Sequence, residues 1–182
     1  MGGVWIWIGK AIIFYVNLSS IQYECLFRKN FIANDYLQTH KHVPEMSKYS
    51  LLGKEPIFQP QVGSFAQGMV VSVPLHYSFL NENVTGADLH AALLSHYEGS
   101  KFVEVMPFGE SGAKDASLLE RGAFLRPDTL ANTNKLQIFV FDNADSELCL
   151  ICARLDNLGK GASGAAVQNM NIALGFSEDA GL

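Results

Sequence analysis

The stretch THKHVPEM brings His40, His42 and Glu45 close together in the chain, and these are side chains that exchange protons near neutral pH. In an extended segment residues i and i+2 project from the same face, so both imidazoles would enter one cleft while Lys41 points away. Imidazole has the unperturbed pKa nearest neutrality, which suits general acid–base work. A carboxylate three positions after His42 would orient or charge-stabilise one ring as the chain turns into a helix. The same residues also fit a plainer role as satisfied polar groups at a strand end.

Two other spellings invite chemistry. Cys149 and Cys152 form C-x-x-C, a spacing used by zinc and redox sites. Their context, ELCLICARLD, alternates like a strand and sends residues three apart to opposite faces, so the sulfurs would not converge on a metal. Buried, inert thiols behaving as small hydrophobes are expected, and no metal site. With Cys25 the chain holds 3 cysteines, an odd number that suits a reducing, cytoplasmic setting better than a disulfide scaffold. His76, His90 and His96 have no carboxylate or cysteine ligands at metal spacing and read as surface or interface histidines.

The segment GKGASG, Gly159 to Gly164, spells G-x-G-x-x-G between a predicted strand and a predicted helix. A dinucleotide fingerprint needs a second parallel strand after that helix, and only FSEDAGL follows Gly175. The favoured reading is glycines that cap a terminal helix and let it approach another backbone closely, with Ala162, Ala165 and Ala166 permitting the contact.

The elements that must hold these residues follow from periodicity. FIANDYLQT favours a strand delivering the histidines, and Pro44 suits the first turn of a short helix through about Leu52, with Gly53 ending it. EPIFQPQVG and QGMVVSVPLHY read as strands. In the second, Met69, Val71, Val73 and Leu75 share a face and Pro74 marks an edge or irregular position. Thr85 with Asp88 makes a capping-box start for ADLHAALLSHY, with Leu89, Leu93 and Tyr97 along one side. KFVEVMP is a short strand, and residues 109–134 are a long polar connection with one helical turn, carrying Arg121 and Arg126 as solvated charges. KLQIFVFDN and ELCLICARL form an antiparallel hairpin. Interleaved strands with few helices predict an α+β fold: a mixed, largely antiparallel sheet with flanking helices.

Composition bounds the function. A chain of 182 residues, 48% hydrophobic and 17% charged, can bury one substantial core. A net charge of -5 without a basic cluster argues against nucleic-acid or anionic-membrane partners. The apolar run VWIWIGKAIIFYV is interrupted by Gly9 and Lys10 and is shorter than the ~20 residues needed to span a bilayer. Its lysine lies inside the run rather than ahead of it, so neither a membrane span nor a secretory signal is expected.

Three blocks in order, THKHVPEM, PQVGSFAQGMVVSVPL and LDNLGKGASGAAVQNMNIALG, resemble the N-acetyl-gamma-glutamyl-phosphate reductases, more their shorter variety, over about Asn34 to Gly175. That family belongs with the aspartate-semialdehyde dehydrogenases, whose subunits join an N-terminal NADP-binding Rossmann domain to a C-terminal domain carrying the catalytic histidine. The resemblance implies the second half alone, folded like the C-terminal catalytic domain of glyceraldehyde-3-phosphate and semialdehyde dehydrogenases, with the Rossmann domain missing. Residues 1–30 would be a divergent or altered start, with Gly9-Lys10-Ala11 a remnant of a glycine-rich turn. Residues 31–158 would be the catalytic and dimerisation domain, and residues 159–182 a terminal helix and tail that pack on the NADP-binding domain. The sheet face would form a homo-oligomer contact.

By the same resemblance the activity is conversion of N-acetyl-gamma-glutamyl phosphate to N-acetylglutamate semialdehyde and phosphate in arginine biosynthesis. That reaction needs a thiolate to displace phosphate, a hydride from NADPH to reduce the thioester, and an acid to manage the oxyanion and thiolate. His40 and His42 would supply the last role, with either ring as the acid. Glu45 would orient one of them or contact the substrate amide. Lys160, Gly161 and Ser163 would help enclose the nicotinamide end of NADP. The family's nucleophile stands in a P-G-C-[YF]-P-T motif, which does not occur here, and Cys25 in QYECLFR has no comparable context. The polypeptide is therefore expected to be inactive by itself. The alternatives are a related acyl-phosphate reductase acting on another amino-acid phosphate, and a non-catalytic dimerisation or binding module.

Overall fold

The computed structural model describes residues 6–8, 11–13, 32–33, 39–50, 55–58, 60–80, 83–109, 119–122 and 124–182. Their elements are, in chain order, β1 (Ile6–Ile8), β2 (Ala11–Ile13), β3 (Ile32–Ala33), α1 (His42–Ser50), β4 (Gln61–Val62), β5 (Met69–His76), α2 (Gly86–His96), β6 (Val103–Val105), β7 (Leu136–Asn143), β8 (Leu148–Leu155) and α3 (Gly164–Leu174). Gly9, Lys10, Cys25 and Gly53 lie outside the described residues.

Four strands make the main sheet in the order β5-β8-β7-β6, with β5·β8 and β7·β8 antiparallel and β6·β7 parallel. This is the mixed, largely antiparallel sheet of an α+β domain. β7 and β8 form the expected hairpin, closed by a 3-10 turn at Ala144–Ser146 in which Asn143 Oδ1 accepts the Ser146 N–H. Glu147, at φ 54, reverses the chain. Pro74 lies in β5, the edge strand of this sheet, where a missing N–H breaks no ladder on the outer side. β1 pairs with β2 and β3 with β4 in two smaller antiparallel sheets.

Alternation along the strands divides the sheet into two faces. Met69, Val71 and Val73 from β5, Leu136, Ile138 and Val140 from β7, and Cys149, Ile151, Ala153 and Leu155 from β8 build the larger core. α2 covers it with Leu93, flanked by Leu89 and Tyr97. Each fully buried aliphatic side chain contributes about 1.5–3 kcal/mol. The start of α2 is held by the full capping box, with Thr85 accepting the Asp88 N–H and Asp88 accepting the Thr85 N–H. Gly86 rests on Asp142, whose carboxylate accepts the Tyr77 hydroxyl, and Tyr77 in turn accepts the Gly86 N–H. This ties α2 to the end of β7.

The opposite face carries Phe139 and Cys152 with Met106, and Val70, Phe141 and Leu150 half-covered around them. Cys149 and Cys152 thus enter different clusters, as the strand alternation requires. Arg154 lies on this second face, buried over the Phe139 ring. It donates to Gln137 Oε1 at 2.6 Å and to Thr129 Oγ1 at 3.2 Å, fastening the 3-10 turn Pro127–Leu130 to the sheet.

Three local expectations are corrected. EPIFQPQVG is not one strand: among its described residues Gln61–Val62 pairs with β3, and Pro60 just before it has no N–H to extend the ladder. His42 is not in extended chain but is the first residue of α1, ahead of Pro44. The GKGASG segment does not cap α3 as a simple loop: Gly159–Ser163 is a π-helical turn running straight into it.

Candidate functional site: a histidine pair on a helix start

His40 and His42 approach each other through a turn rather than along a strand. The Val43 N–H donates to the His40 carbonyl at 2.9 Å, and the His42 N–H donates to His40 Nδ1 at 3.2 Å. The first turn of a helix has N–H groups without intrahelical partners, and the His40 ring satisfies one of them as an N-cap side chain does. The ring centroids of His40 and His42 are 4.8 Å apart. Phe58, 2% exposed, backs both: its ring lies 4.9 Å from His40 and 6.4 Å from His42.

Glu45, one turn into α1, places Oε2 2.7 Å from His42 Nδ1. The His42 side chain is 14% exposed and Glu45 44%. These contacts assign the tautomers. His40 Nδ1 is an acceptor, so the neutral ring carries its proton on Nε2. His42 Nδ1, 2.7 Å from a carboxylate oxygen, is the donor of that pair, which leaves Nε2 as the acceptor of the ring. The two rings thus have different partners: His42 Nδ1 faces the Glu45 carboxylate, and His40 Nδ1 faces the His42 backbone N–H.

Lys160, Gly161 and Ser163 stand in the π-helical turn and belong to another set of contacts. The Lys160 ammonium is buried, donates to Gln168 Oε1 and lies 5.5 Å from the centre of the Phe102 ring. Burial lowers its pKa, offset in part by Glu178. Gln168 also accepts from Asn134 Nδ2 and donates to Glu178. The Ser163 hydroxyl donates to the Leu158 carbonyl at 2.8 Å, and the Gly161 N–H to the Asp156 carbonyl at 2.8 Å. The Lys160 ammonium and the Ser163 hydroxyl therefore each have a partner inside the domain.

Several contributors were not singled out in the sequence. Phe58 falls in EPIFQPQVG, which reads as a strand, and nothing in that pattern aims its ring at the histidines. Asp156, Asn157 and Asn134 are buried polar residues at the ends of β8 and the loop before β7, and the polar pair directly after an alternating apolar strand was the available signal. His90, read as a surface or interface histidine, is half-buried: its Nε2 donates to the Met106 carbonyl at 2.8 Å and its ring lies on Phe108. Among the described residues no group of three or more His, Cys, Asp or Glu gathers at metal-binding distance, and no helix is long and apolar enough to cross a membrane.

Comparison with known proteins places these features in a family context. The family model described as semialdehyde dehydrogenase, dimerisation domain, matches residues 19–157. N-acetyl-gamma-glutamyl-phosphate reductase 2 of Nostoc sp. (strain PCC 7120) is 50% identical over 143 residues, covering 79% of this chain and 43% of the relative. The reductase of Trichormus variabilis matches at 50% over 143 residues with the same coverage. That of Rhizobium leguminosarum bv. trifolii matches at 48% over 136 residues, 75% of this chain and 41% of the relative. The chain thus spans less than half the length of these curated relatives.

Proposed function

Because this chain belongs to the semialdehyde dehydrogenase dimerisation-domain family, we propose that it forms the C-terminal part of a reductase converting N-acetyl-gamma-glutamyl phosphate to N-acetylglutamate semialdehyde and phosphate, in the cytoplasm. The single observation that carries this reading is the His42–Glu45 contact beside His40, in a chain about half identical to proteins named for that activity. In it His42 holds and returns the proton needed by the departing or attacking groups, and Glu45 keeps its ring oriented. His40 donates from Nε2 to an oxygen of the substrate.

NADP would supply the hydride when bound. The turn Gly159–Ser163 would border its nicotinamide end, with Lys160 and Ser163 held inside the fold and Gly161 keeping that wall thin. α3 supports a partner for this region. Its small and polar stripe, Gly164, Gln168 and Asn171, faces the domain, while Met170 (51% exposed), Ile172 and Leu174 face outward. A helix apolar on its outer side needs a cover, and the nucleotide-binding part of a longer protein is the proposed one. The half-covered face around Phe141 and Leu150 is the proposed contact with a second copy.

The test measures NADP- and phosphate-dependent oxidation of N-acetylglutamate semialdehyde by the chain alone and by the chain joined to the nucleotide-binding part of the Nostoc relative. Turnover restored only in the joined protein, and with this semialdehyde in preference to the aspartyl one, supports the proposal. Tight self-association with no turnover in either form overturns it in favour of a non-catalytic module.

A further inference from the structure

We propose that Asp156 is a positioning residue that sets the Gly159–Ser163 turn against the loop before β7; this rests on the reading of that turn as a wall of the cofactor site. Asp156 is 1% exposed and makes no ion pair among the described residues. A buried carboxylate without a cation survives only when donors satisfy its oxygens. Oδ2 accepts the Asn132 N–H at 2.7 Å and Gln67 Nε2 at 3.0 Å, and Oδ1 accepts the Leu158 N–H at 2.8 Å. Its own carbonyl accepts the Gly161 N–H at 2.8 Å. One residue thus grips the turn at two amides and ties it to two segments that are distant in the chain.

The geometry around it is built for close approach. Asn132 holds φ 61, a left-handed conformation that a non-glycine residue keeps only when its surroundings enforce it. A Cβ on Gly159 would stand 2.7 Å from the Thr133 carbonyl oxygen and 3.2 Å from Asp156 Oδ2, so glycine is what lets the two loops touch. Single π-helical turns are frequent at functional sites, and Asp156 takes the Leu158 N–H just before this one and the Gly161 N–H within it. Asn157 adds a parallel tie by accepting the Gly68 N–H at 2.7 Å.

Asp156→Asn is the informative change, because an amide keeps the shape but turns an NH2 group towards donors. In the chain joined to the Nostoc nucleotide-binding part, the KM for NADPH is expected to rise tenfold or more, while kcat and the KM for the acyl phosphate stay within twofold. In the chain alone, amide exchange at Asn132, Leu158 and Gly161 should quicken together by at least tenfold with β7 and β8 unchanged. Asp156→Glu, with the charge kept on a longer arm, should not rescue either readout. Gln67→Ala, which removes one donor and leaves the carboxylate, should move both in the same direction by less, and it decides the matter if D156N does not fold. Unchanged exchange, or kcat and both KM values falling in proportion, overturns the assignment. If the unsubstituted joined protein shows no turnover, the functional reading fails by itself, and joint exchange at the three amides still decides whether Asp156 holds the turn.

Discussion

Glu45 Oε2 lies 2.7 Å from His42 Nδ1, one helical turn along α1. The contact gives the two neighbouring imidazoles different chemistry, since His40 uses its own Nδ1 to accept the His42 backbone N–H. A carboxylate that orients a ring and stabilises its protonated form is a common support for acid–base histidines.

In the joined protein, His42→Ala is expected to lower kcat by about 10²–10⁴, the usual contribution of a positioned acid or base. Glu45→Gln should cost less, about 10–100-fold, matching about 1.5–3 kcal/mol for a hydrogen bond to a charged group. Steady-state kinetics check both. A raised KM with unchanged kcat in Glu45→Gln would assign Glu45 to the substrate amide instead.

At Gly164 a Cβ would stand 2.3 Å from Asn134 Oδ1 and 2.9 Å from the Gly159 carbonyl oxygen. Gly164→Ala should therefore destabilise the domain by about 1–3 kcal/mol, the range for overpacking a tight contact, despite alanine's better helix propensity. Urea unfolding measures it; a stabilised variant would show that the loop at Asn134 yields freely.

Burial beside Asp142 pushes the Cys149 thiol up to about 11, and burial also raises that of Cys152. At pH 8 only roughly one part in a thousand of Cys149 is thiolate, and the thiolate is the reactive form. Iodoacetamide should leave the peptide containing both residues unmodified in the folded protein and label it after denaturation, as peptide mass spectrometry would record. Labelling in the folded state would contradict the inert packing.

The chain end folds back: Lys101 Nζ lies 2.8 Å from Asp179 Oδ1, the Ser177 hydroxyl donates to the same carboxylate, and Asn171 Nδ2 donates to the Glu178 and Ala180 carbonyls. The Lys101 and Ser177 contacts hold the Asp179 carboxyl down to about 2. Its folded value is below the ordinary value of about 4, so the contact stabilises the tail above that pH and is lost as pH falls from about 4 towards 2. NMR of the Ala180 and Leu182 amides should show this transition, and Asp179→Asn should remove it.

Much of the fold is legible because it follows from short-range repetition. The two-residue alternation in MVVSVPLH, LQIFVFDN and LCLICARL specifies which side chains enter which face, including the separation of Cys149 from Cys152. Thr85 and Asp88 carry the start of α2 in four residues. The histidines were legible as a pair, but their geometry was not: extended chain and a helix start both bring neighbours together, and the choice depended on the His40 ring accepting the His42 N–H and on Phe58 behind it.

What the amino-acid sequence determined by itself is the set of strands, the faces of the sheet, the capped helix and the candidate acid–base residues, because backbone geometry imposes those periods locally. Only the tertiary structure decided that β6 joins the sheet in parallel, that Arg154 is buried over Phe139, and that Asp156 gathers Gln67, Asn132 and Leu158. Those arrangements join residues up to 89 positions apart, where no local period reaches and where burial of the whole core decides which polar groups must find one another.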